Sequence, residues 1–415
     1  MKLIKTTLLS GVITLVRLAS GFVSLKIIAV IIGPTGVALV GQLANFITMA
    51  GTVASGAMNS GVTSLTAKYH GDEIKKNKIW QASIWLSGVL SIIIGLGCIL
   101  FKNYLAIEFL HSTTYSGIFV AFGCSLLLYV WNQLLLSILN GQGEITKMTI
   151  ANTASSLISL LASIMLVYQY KIYGALLAIT IVPNIIFFIS ILTVYKSPWF
   201  RLTAFFGKLD RDSLRALSGF AIISIISATV NPLQQLIVRN LLIDRISIVF
   251  AGNWQGLQQI SNAYLLIVYT AFNTYFLPKF ASLKDKSHIR SELLSCYKII
   301  IPFVILSIIL VYFFKDFIIH LLYSHSFSDM SQLFFWQLIG DFFKTIAWPM
   351  GLIFASKGKV MVIGFNDVVF NILMVFLCYI LIEYLPIQAA VISFAATYFL
   401  WFLWLSILTN KYLDK

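Results

Sequence analysis

Residues 331–356 read SQLFFWQLIGDFFKTIAWPMGLIFAS, and this stretch decides the fold class. Its 26 residues are enough to cross a bilayer as one helix. Asp341 and Lys344 interrupt it near the middle, and their spacing puts both side chains on one helix face, where they can pair. A full charge in hydrocarbon costs at least about 2.5–3.5 kcal/mol, so the two need a protein or water-filled neighbourhood. A salt bridge that only joins helices is one interpretation; a charged cavity or relay in a transporter is the favoured one.

The composition of the whole chain is typical of a polytopic membrane protein. Of the 415 residues, 59% are hydrophobic and 11% are charged, whereas a soluble domain carries about a quarter charged residues. The net charge of +14 would suggest a nucleic-acid partner in a soluble chain. Here the basic residues lie in short loops between apolar spans and indicate topology instead, so no nucleic-acid partner is expected.

Apolar runs predict an all-α protein of about twelve transmembrane helices. The predicted spans are 7–32, 37–67, 79–100, 115–140, 146–168, 174–195, 213–240, 247–278, 293–314, 331–356, 360–382 and 387–410. The first is too long for the core of a signal peptide and is expected to be retained. A GPTG turn at 33–36 separates the first two spans, and the longest polar linker follows the sixth. The predicted organisation is a six-helix bundle at 1–196, a cytoplasmic linker at 197–212 and a second six-helix bundle at 213–415.

Basic residues predict the orientation. An even number of spans puts both termini on one side, whose loops hold 20 Lys and Arg residues, against 5 on the other side. The positive-inside rule therefore places both termini in the cytoplasm. The predicted external loops are short, which argues against a catalytic domain outside the membrane.

An internal repeat with few identities supports two pseudo-symmetric halves. At one constant offset along the chain, it aligns Lys26 with Arg239, Gln42 with Gln255, and Asn45 with Gln258. At a slightly larger offset, Gly143 aligns with Gly358 and Asn152 with Asp367. The pattern fits two six-helix bundles related by an axis along the membrane normal.

The second and eighth spans carry matching polar stripes at helical spacing. They comprise Gln42, Asn45, Thr52 and Asn59, and Gln255, Gln258, Asn262, Tyr269 and Asn273. Side chains of this kind lack partners when they face lipid. Interhelical hydrogen bonds explain part of each stripe, but a full-length stripe in both halves predicts the walls of a central hydrated cavity.

Charges inside the spans have a cationic excess. Arg17 lies deep in the first span, whereas Lys26 and Arg239 can partly extend towards the surface. The intramembrane charges are Arg17, Lys26 and Lys344 against Asp341 and Asp367. This balance favours an anionic cargo such as a phosphate or diphosphate.

Four tryptophans divide into two groups. Trp254 and Trp336 lie near the predicted outer ends of their spans and are typical of an aromatic belt. Trp131 and Trp348 are candidates for lining the cavity and stacking on sugars.

The sequence contains no recognisable catalytic or metal-binding motif. The four cysteines lie in apolar spans without CxxC spacing, and the five histidines form no metal-binding pattern. There is no Walker A motif and no arrangement for nucleophilic catalysis. The chain is therefore expected to be no enzyme and to hold no metal or other cofactor.

Several short motifs together resemble a known family. They are GPTG at 33–36, NSGVT at 59–63 leading to AKYH at 67–70, WQG at 254–256 with SNAYL at 261–265, YFLP at 275–278 and WQLIGD at 336–341. Over nearly the whole chain the sequence is similar to the Wzx-type flippases of the multidrug/oligosaccharidyl-lipid/polysaccharide exporter superfamily. Flippases of common antigen carry an acid where this chain has Asn262, so a coupling role at this position is not implied.

The resemblance implies that two bundles open alternately to the two sides of the bacterial inner membrane. The implied cargo is an undecaprenyl-diphosphate-linked repeat unit of O-antigen or a related surface glycan, and the implied partners are the polymerase and chain-length regulator of the same pathway. The predicted substrate-binding residues are Arg17, Lys26, Lys344, Gln42, Asn45, Arg239, Gln255, Gln258 and Asn262, with coupling or charge relay at Asp341 and Asp367. Proton coupling and sodium coupling both stay open.

Three other functions compete with this one. A cation-coupled multidrug exporter of the same superfamily should prefer an anionic cavity, which the basic excess opposes. A glycan polymerase or ligase would need a large periplasmic loop. A channel fits the two-half repeat and midplane charges less well than alternating access does.

Overall fold

In the computed structural model the described part of the chain is built of helices and contains no strand. The structure describes the backbone of residues 2–205, 207 and 210–414, and their side chains except those of 2–19, 145, 202, 203, 219–224, 227 and 360. The α-helices are α1 Lys2–Ala54, α2 Asn59–Lys68, α3 Glu73–Leu100, α4 Lys102–Leu110, α5 Ser116–Gly141, α6 Ile145–Val194, α7 Leu202–Phe205, α8 Arg211–Arg245, α9 Ile248–Ala271, α10 Leu277–Ser282, α11 Lys286–Phe313, α12 Lys315–Leu322, α13 Phe334–Ser356, α14 Val360–Tyr384 and α15 Ala389–Asp414. Short 3₁₀ turns at Thr113–Tyr115 and His325–Leu333 and a π turn at Phe272–Phe276 complete the order.

Two of these helices each contain a sharp break, and the breaks account for the span count. Helix α1 breaks at Gly33 (φ 64°) within the GPTG turn, and α6 breaks at Lys171 (φ 52°). Divided there, and with α9, the π turn and α10 taken together, the described chain contains the twelve long helices that the sequence predicts. Eight of its continuous helical segments are long and apolar enough to cross a membrane. The prediction of an all-α multi-pass membrane protein is confirmed.

The second predicted span differs from the structure. The sequence predicts one run over 37–67, but α1 ends at Ala54 and α2 begins at Asn59. Gly56 (φ 59°) and Ala57 (φ 50°) between them adopt left-handed backbone conformations, which end a helix. The apolar run continues through this turn, so hydropathy alone does not reveal it.

Helices α3 and α11 begin and end at equivalent positions. The offset between them along the chain is the same one that aligns Lys26 with Arg239 in the internal repeat. Asp72 caps α3 by accepting from the Lys75 backbone N–H, and Asp285 caps α11 by accepting from the Ser287 backbone N–H. Both helices have 28 residues. Each is followed by a capping phenylalanine, Phe101 or Phe314, with nearly the same backbone angles, and a short helix follows directly. The repeat is thus present in the local backbone as well as in the intramembrane polar residues.

A second pair of turns repeats at the slightly larger offset. Gly143 (φ 73°) follows α5 and Gly358 (φ 69°) follows α13. Each glycine N–H donates to the carbonyl three residues back at 3.0 Å, and the next residue's N–H donates five residues back at 3.0 Å. Both positions favour glycine because L side chains rarely adopt this conformation.

Helix α3 packs against α5 along a stripe of small residues. Ser83, Ser87, Ser91 and Gly95 recur every four positions, and all are buried. At the Gly95 position the backbones are so close that an added Cβ would lie 2.6 Å from the Gly123 carbonyl oxygen. Small residues permit this approach between membrane helices, where van der Waals packing replaces the hydrophobic effect.

The chain divides into two compact units. Unit 1 comprises Met1–Ile32 and Leu39–Pro232, and unit 2 comprises Gly33–Ala38 and Leu233–Lys415. An aromatic and aliphatic core around Trp80, Ile138 and Phe205 lies in unit 1. The larger core around Phe272, Phe280 and Ile353 lies in unit 2. The assignment of 197–212 as a cytoplasmic linker between bundles 1–196 and 213–415 stays a prediction.

Candidate functional site

Asp341 is the centre of a buried polar network in unit 2. Its side chain is 1% exposed. The Tyr264 hydroxyl donates to its Oδ2 at 2.7 Å, and Gln337 Nε2 donates to its Oδ1 at 3.2 Å. Gln258 Nε2 donates in turn to Gln337 Oε1 at 3.1 Å. A chain of neutral donors thus runs from α9 to a carboxylate on α13.

Lys344 lies one turn away but does not pair with this carboxylate. The ion pairs within 4.0 Å among the described side chains do not include it. Its ammonium instead lies 5.3 Å from the ring centre of Tyr398, 5.8 Å from Phe394 and 5.9 Å from Tyr269. These are cation–π distances, worth about 0.5–2 kcal/mol each depending on desolvation. The salt bridge that the spacing permits, the less favoured of the two interpretations, does not form; α9 and α15 offer each charge a different partner.

Glycine and an irregular turn shape the surroundings of this lysine. A Cβ at Gly340 would overlap the Phe394 ring and lie 3.1 Å from the Ala395 Cα, so glycine lets α15 approach α13. Tyr269 packs against Trp348 at 4.9 Å between ring centres. Shortly after Tyr269 the helix continues through the π turn Phe272–Phe276, a feature frequent at functional sites.

Arg239 belongs to a second buried cluster in unit 2. It is 0% exposed, so the expectation that it extends towards the surface is wrong. Its Nη2 donates to Gln255 Oε1, and its guanidinium lies 5.7 Å from the Trp254 ring centre. Trp254 itself is 1% exposed, which contradicts its placement in an aromatic belt. The cation and the indole stabilise each other inside the unit.

The remaining predicted residues are dispersed. In unit 1, Gln42 is buried while Lys26 and Asn45 are half-buried; the side chain of Arg17 lies outside the described residues. In unit 2, Asn262 is exposed, and Asp367 on α14 is half-buried with its backbone carbonyl accepting from Asn371 at 2.7 Å.

The structure therefore brings together two pairs of the predicted residues. Gln258 is joined to Asp341 through Gln337, and Arg239 is joined to Gln255. Both pairs lie within unit 2, whereas the predicted residues of α1 beyond the GPTG turn belong to unit 1.

The other tryptophans take different positions. Trp336 is half-buried and donates to Gln388 at 3.1 Å. Trp131 packs against Phe187 at the edge of an apolar cavity of about 190 Å³ in unit 1. Of the two sugar-stacking candidates, only Trp348 lies beside the charged cluster of α13.

Sequence reasoning missed several members of the site. Gln337 lies four residues before Asp341, a spacing that places the two side chains together, so this signal was available. Tyr264 was seen only as part of a motif. Phe394 and Tyr398 had no local signal, because they lie on α15, far along the chain from Lys344.

Comparison with known proteins identifies the family. Residues 3–284 match the family described as polysaccharide biosynthesis protein, which is more than half of the chain. The chain belongs to the polysaccharide biosynthesis protein family. This member of the family is 28% identical over 403 residues to the lipid III flippases of Escherichia coli (strain K12) and of Shigella flexneri, with 97% of each chain covered.

Solved structures of transporters share the fold of this chain. An inward-facing multidrug resistance MATE family transporter of the MOP superfamily superposes with a TM-score of 0.74 at 16% identity, covering 97% of this chain and 95% of the other. A MOP superfamily transporter from Pyrococcus furiosus Vc1 (DSM3638), described by the reverse polarity of its binding pocket, superposes with a TM-score of 0.69 at 15% identity, covering 98% and 94%. These relatives are flippases and transporters, not enzymes, and the fold is that of the MOP superfamily.

Proposed function

We propose that this protein is a flippase for lipid-linked oligosaccharides. Its cargo is an undecaprenyl-diphosphate-linked repeat unit of O-antigen or a related surface glycan, moved from the cytoplasmic to the periplasmic leaflet by alternating access. The likeness to lipid III flippases over 97% of both chains carries the proposal. In this scheme the chain spans the bacterial inner membrane with both termini in the cytoplasm, and the polymerase and chain-length regulator of the pathway are its partners.

The charged residues are proposed to act on the diphosphate. A diphosphate cannot cross hydrocarbon unaided, and a membrane potential that is negative inside favours its outward movement by about 2.3 kcal/mol per charge per 100 mV. Lys344 supports this role because aromatic faces, rather than a carboxylate, surround its ammonium. An incoming phosphate can therefore take the ammonium without first breaking an ion pair.

Asp341 is the proposed coupling residue. Its buried carboxylate has hydrogen-bond donors but no cation within 4.0 Å among the described side chains. A buried carboxylate without a counter-charge favours taking up a proton or a metal cation. Proton or sodium antiport through Asp341, with Asp367 as a second candidate, would couple that uptake to transport.

A multidrug exporter is the alternative, since the MATE transporter shares the fold. Such an exporter should present an anionic cavity to cationic drugs. The cationic excess of Arg17, Lys26 and Lys344 over Asp341 and Asp367 supports the anionic cargo instead.

Deletion of the gene and complementation test the proposal directly. The deletion strain should lack surface glycan and accumulate undecaprenyl-diphosphate-linked repeat units in the cytoplasmic leaflet. Plasmid copies with Arg17→Ala or Lys26→Ala should restore less glycan than the wild type at equal membrane abundance, and Lys26→Arg should restore more than Lys26→Ala. A deletion strain with normal surface glycan and raised drug sensitivity would favour the exporter.

A further inference from the structure

A polar cavity of about 440 Å³ lies in unit 1, apart from the clusters described above. The start of α3, the end of α5 and the connection between α6 and α7 enclose it, and its lining includes Lys76, Asn77, Gln142, Trp199 and Arg201. Ligand pockets in proteins have volumes of about 300–1,000 Å³, so this space can hold a small molecule. The positive-inside rule places this end of unit 1 on the cytoplasmic side.

One side of the cavity holds a buried cation packed on aromatic rings. Lys76 is 2% exposed, and its ammonium donates to Glu73 Oε1 at 2.7 Å and lies 5.8 Å from the Trp80 ring centre. Trp80 packs against Trp199 at 5.5 Å and stacks on Phe205 at 5.6 Å between ring centres. The side chain of Glu73 is 65% exposed, so water screens its charge and Lys76 keeps donor capacity for a ligand.

Two residues that line this cavity each have a buried polar side-chain atom without a hydrogen-bond partner in the described part of the chain. One is an acceptor, Asn77 Oδ1, and the other is a donor, Gln142 Nε2. Buried polar groups in native proteins are nearly always satisfied, and each exception calls for a missing partner such as a ligand or water. A ligand that satisfies both must offer an acceptor and a donor.

The charges around the cavity favour an anion by one. Lys76, Arg201 and one acid, Glu73, line it, and Glu73 pairs with Lys76 at 2.7 Å. The nearby acid Glu144 accepts from Trp199 Nε1 at 2.8 Å and pairs with Lys147 at 2.9 Å. Arginine and lysine beside an amide donor form a usual phosphate-binding set. A hydroxyl next to the phosphate would donate to Asn77.

We propose that this cavity binds a hydroxylated phosphate ester. The phosphate oxygens accept from Lys76, Arg201 and Gln142, and a hydroxyl of the polyol or sugar donates to Asn77 over the face of Trp199. The ester can belong to a lipid headgroup such as phosphatidylglycerol or to a soluble polyol or sugar phosphate. The site lies in unit 1 and does not depend on the proposed flippase activity.

Binding to the purified full-length protein tests the proposal. In detergent, glycerol 3-phosphate is titrated against sodium sulfate at matched ionic strength, with tryptophan fluorescence and the thermal unfolding midpoint as readouts. A second arm compares nanodiscs of phosphatidylglycerol with nanodiscs of phosphatidylcholine. A saturable response to glycerol 3-phosphate assigns a soluble ester or a free headgroup, and a response to phosphatidylglycerol alone assigns a membrane lipid.

Two variants and a matched control connect the response to the cavity. Gln142→Leu and Arg201→Gln should each weaken the apparent Kd by about 10-fold, since each removes one hydrogen bond to a charged group. Gln142→Leu should leave the ligand-free midpoint unchanged or higher, because it removes an unpaired buried amide. Lys75→Gln removes a charge from the same helix turn but does not line the cavity, and should change the Kd less than about 2-fold. An equal response to sulfate, or unchanged binding in both cavity variants, would overturn the proposal.

Discussion

At the residue scale, the two charges of α13 are held by different neighbours. The carboxylate of Asp341 faces the donors Tyr264 and Gln337, and the ammonium of Lys344 faces aromatic rings of α9 and α15. Each charge can therefore change its ligand without unpairing the other. This separation fits the proposal that Lys344 binds the cargo and Asp341 the coupling ion.

Replacing both charges by leucine separates architecture from function. Removing one partner of a buried salt bridge costs about 3–5 kcal/mol of stability. If the two charges formed such a bridge, the Lys344→Leu protein would therefore be depleted from the membrane. Since no ion pair joins the two side chains, Lys344→Leu and the double variant Asp341→Leu, Lys344→Leu should be as abundant as the wild type. We expect both to accumulate lipid-linked repeat units, measured in extracted lipids, while Lys298→Leu, an exposed lysine of the same unit, should export normally. Wild-type export by the double variant would show that the two charges have only a structural role.

Tyr264→Phe tests the hydroxyl that holds Asp341. The change removes a hydrogen bond to a carboxylate, worth about 1.5–3 kcal/mol, and leaves the ring in place. We expect export of surface glycan to fall about tenfold at near-normal membrane abundance. Tyr275→Phe, which removes an exposed hydroxyl from the π turn after α9, is the control and should be neutral. Equal losses in the two variants would argue against a special role for Tyr264.

At the element scale, local signals define where helices begin and how closely they approach. Asp72 and Asp285 occupy equivalent caps of the internal repeat, and Gly95 and Gly123 bring α3 and α5 into backbone contact. Each feature depends on a single side chain, or on the absence of one. Both can therefore be tested without touching the candidate site.

The two caps should make the protein sensitive to acid. Hydrogen bonds from the Lys75 and Ser287 backbone N–H groups lower the pKa of Asp72 and Asp285 below the usual value of 3.8. A lowered pKa means that the stabilisation is complete above about pH 4 and is lost as the pH falls through the folded-state pKa. The double variant Asp72→Asn, Asp285→Asn keeps both caps without the titration. Its thermal midpoint should fall less than the wild type's between about pH 6 and pH 3.5; an identical fall would contradict this assignment.

Gly95→Ala should weaken the packing of α3 on α5. The new Cβ would lie 2.6 Å from the Gly123 carbonyl oxygen, which forces the backbones apart. Overpacking of this kind costs about 1–3 kcal/mol and should lower the thermal midpoint of the purified protein. Gly97→Ala is the matched control, because nothing lies within 4 Å of its added Cβ. A Gly95→Ala protein as stable as Gly97→Ala would show that the contact can relax.

At the scale of the whole molecule, the twelve long helices and the internal repeat match the fold of transporters of the MOP superfamily. Equivalent caps and turns in unit 1 and unit 2 are consistent with two related halves. The distribution of basic residues predicts how these halves are oriented in the membrane.

Cysteine labelling from outside the cell tests this orientation. In a background without the four native cysteines, a membrane-impermeant maleimide should modify His111→Cys, which follows α4, and spare Lys208→Cys in the basic linker. Permeabilised cells should label both positions, which confirms that each cysteine is reactive. The reverse pattern in intact cells would invert the topology.

Hydropathy, turn residues and charge pattern were enough to predict the membrane class, the helix count and the internal repeat. These properties depend on local quantities, namely hydropathy over about 20 residues, turn-forming glycines and charge in short loops. The same locality explains the errors of prediction. The apolar run is continuous through the turn between α1 and α2, so hydropathy did not reveal this turn. Trp254 was assigned to an aromatic belt because it lies near a predicted span end, but it is buried.

The partner that each buried polar group takes could not be predicted from the sequence and depends on how the helices pack. Helical spacing placed Asp341 and Lys344 on one face, but the faces of α9 and α15 that pack there supply Tyr264 to the acid and Tyr398 to the base. In the same way Arg239 was expected to extend towards the surface, whereas Trp254 and Gln255 enclose it. A buried polar group takes the nearest group that satisfies it, and which group is nearest depends on how helices distant in sequence pack together.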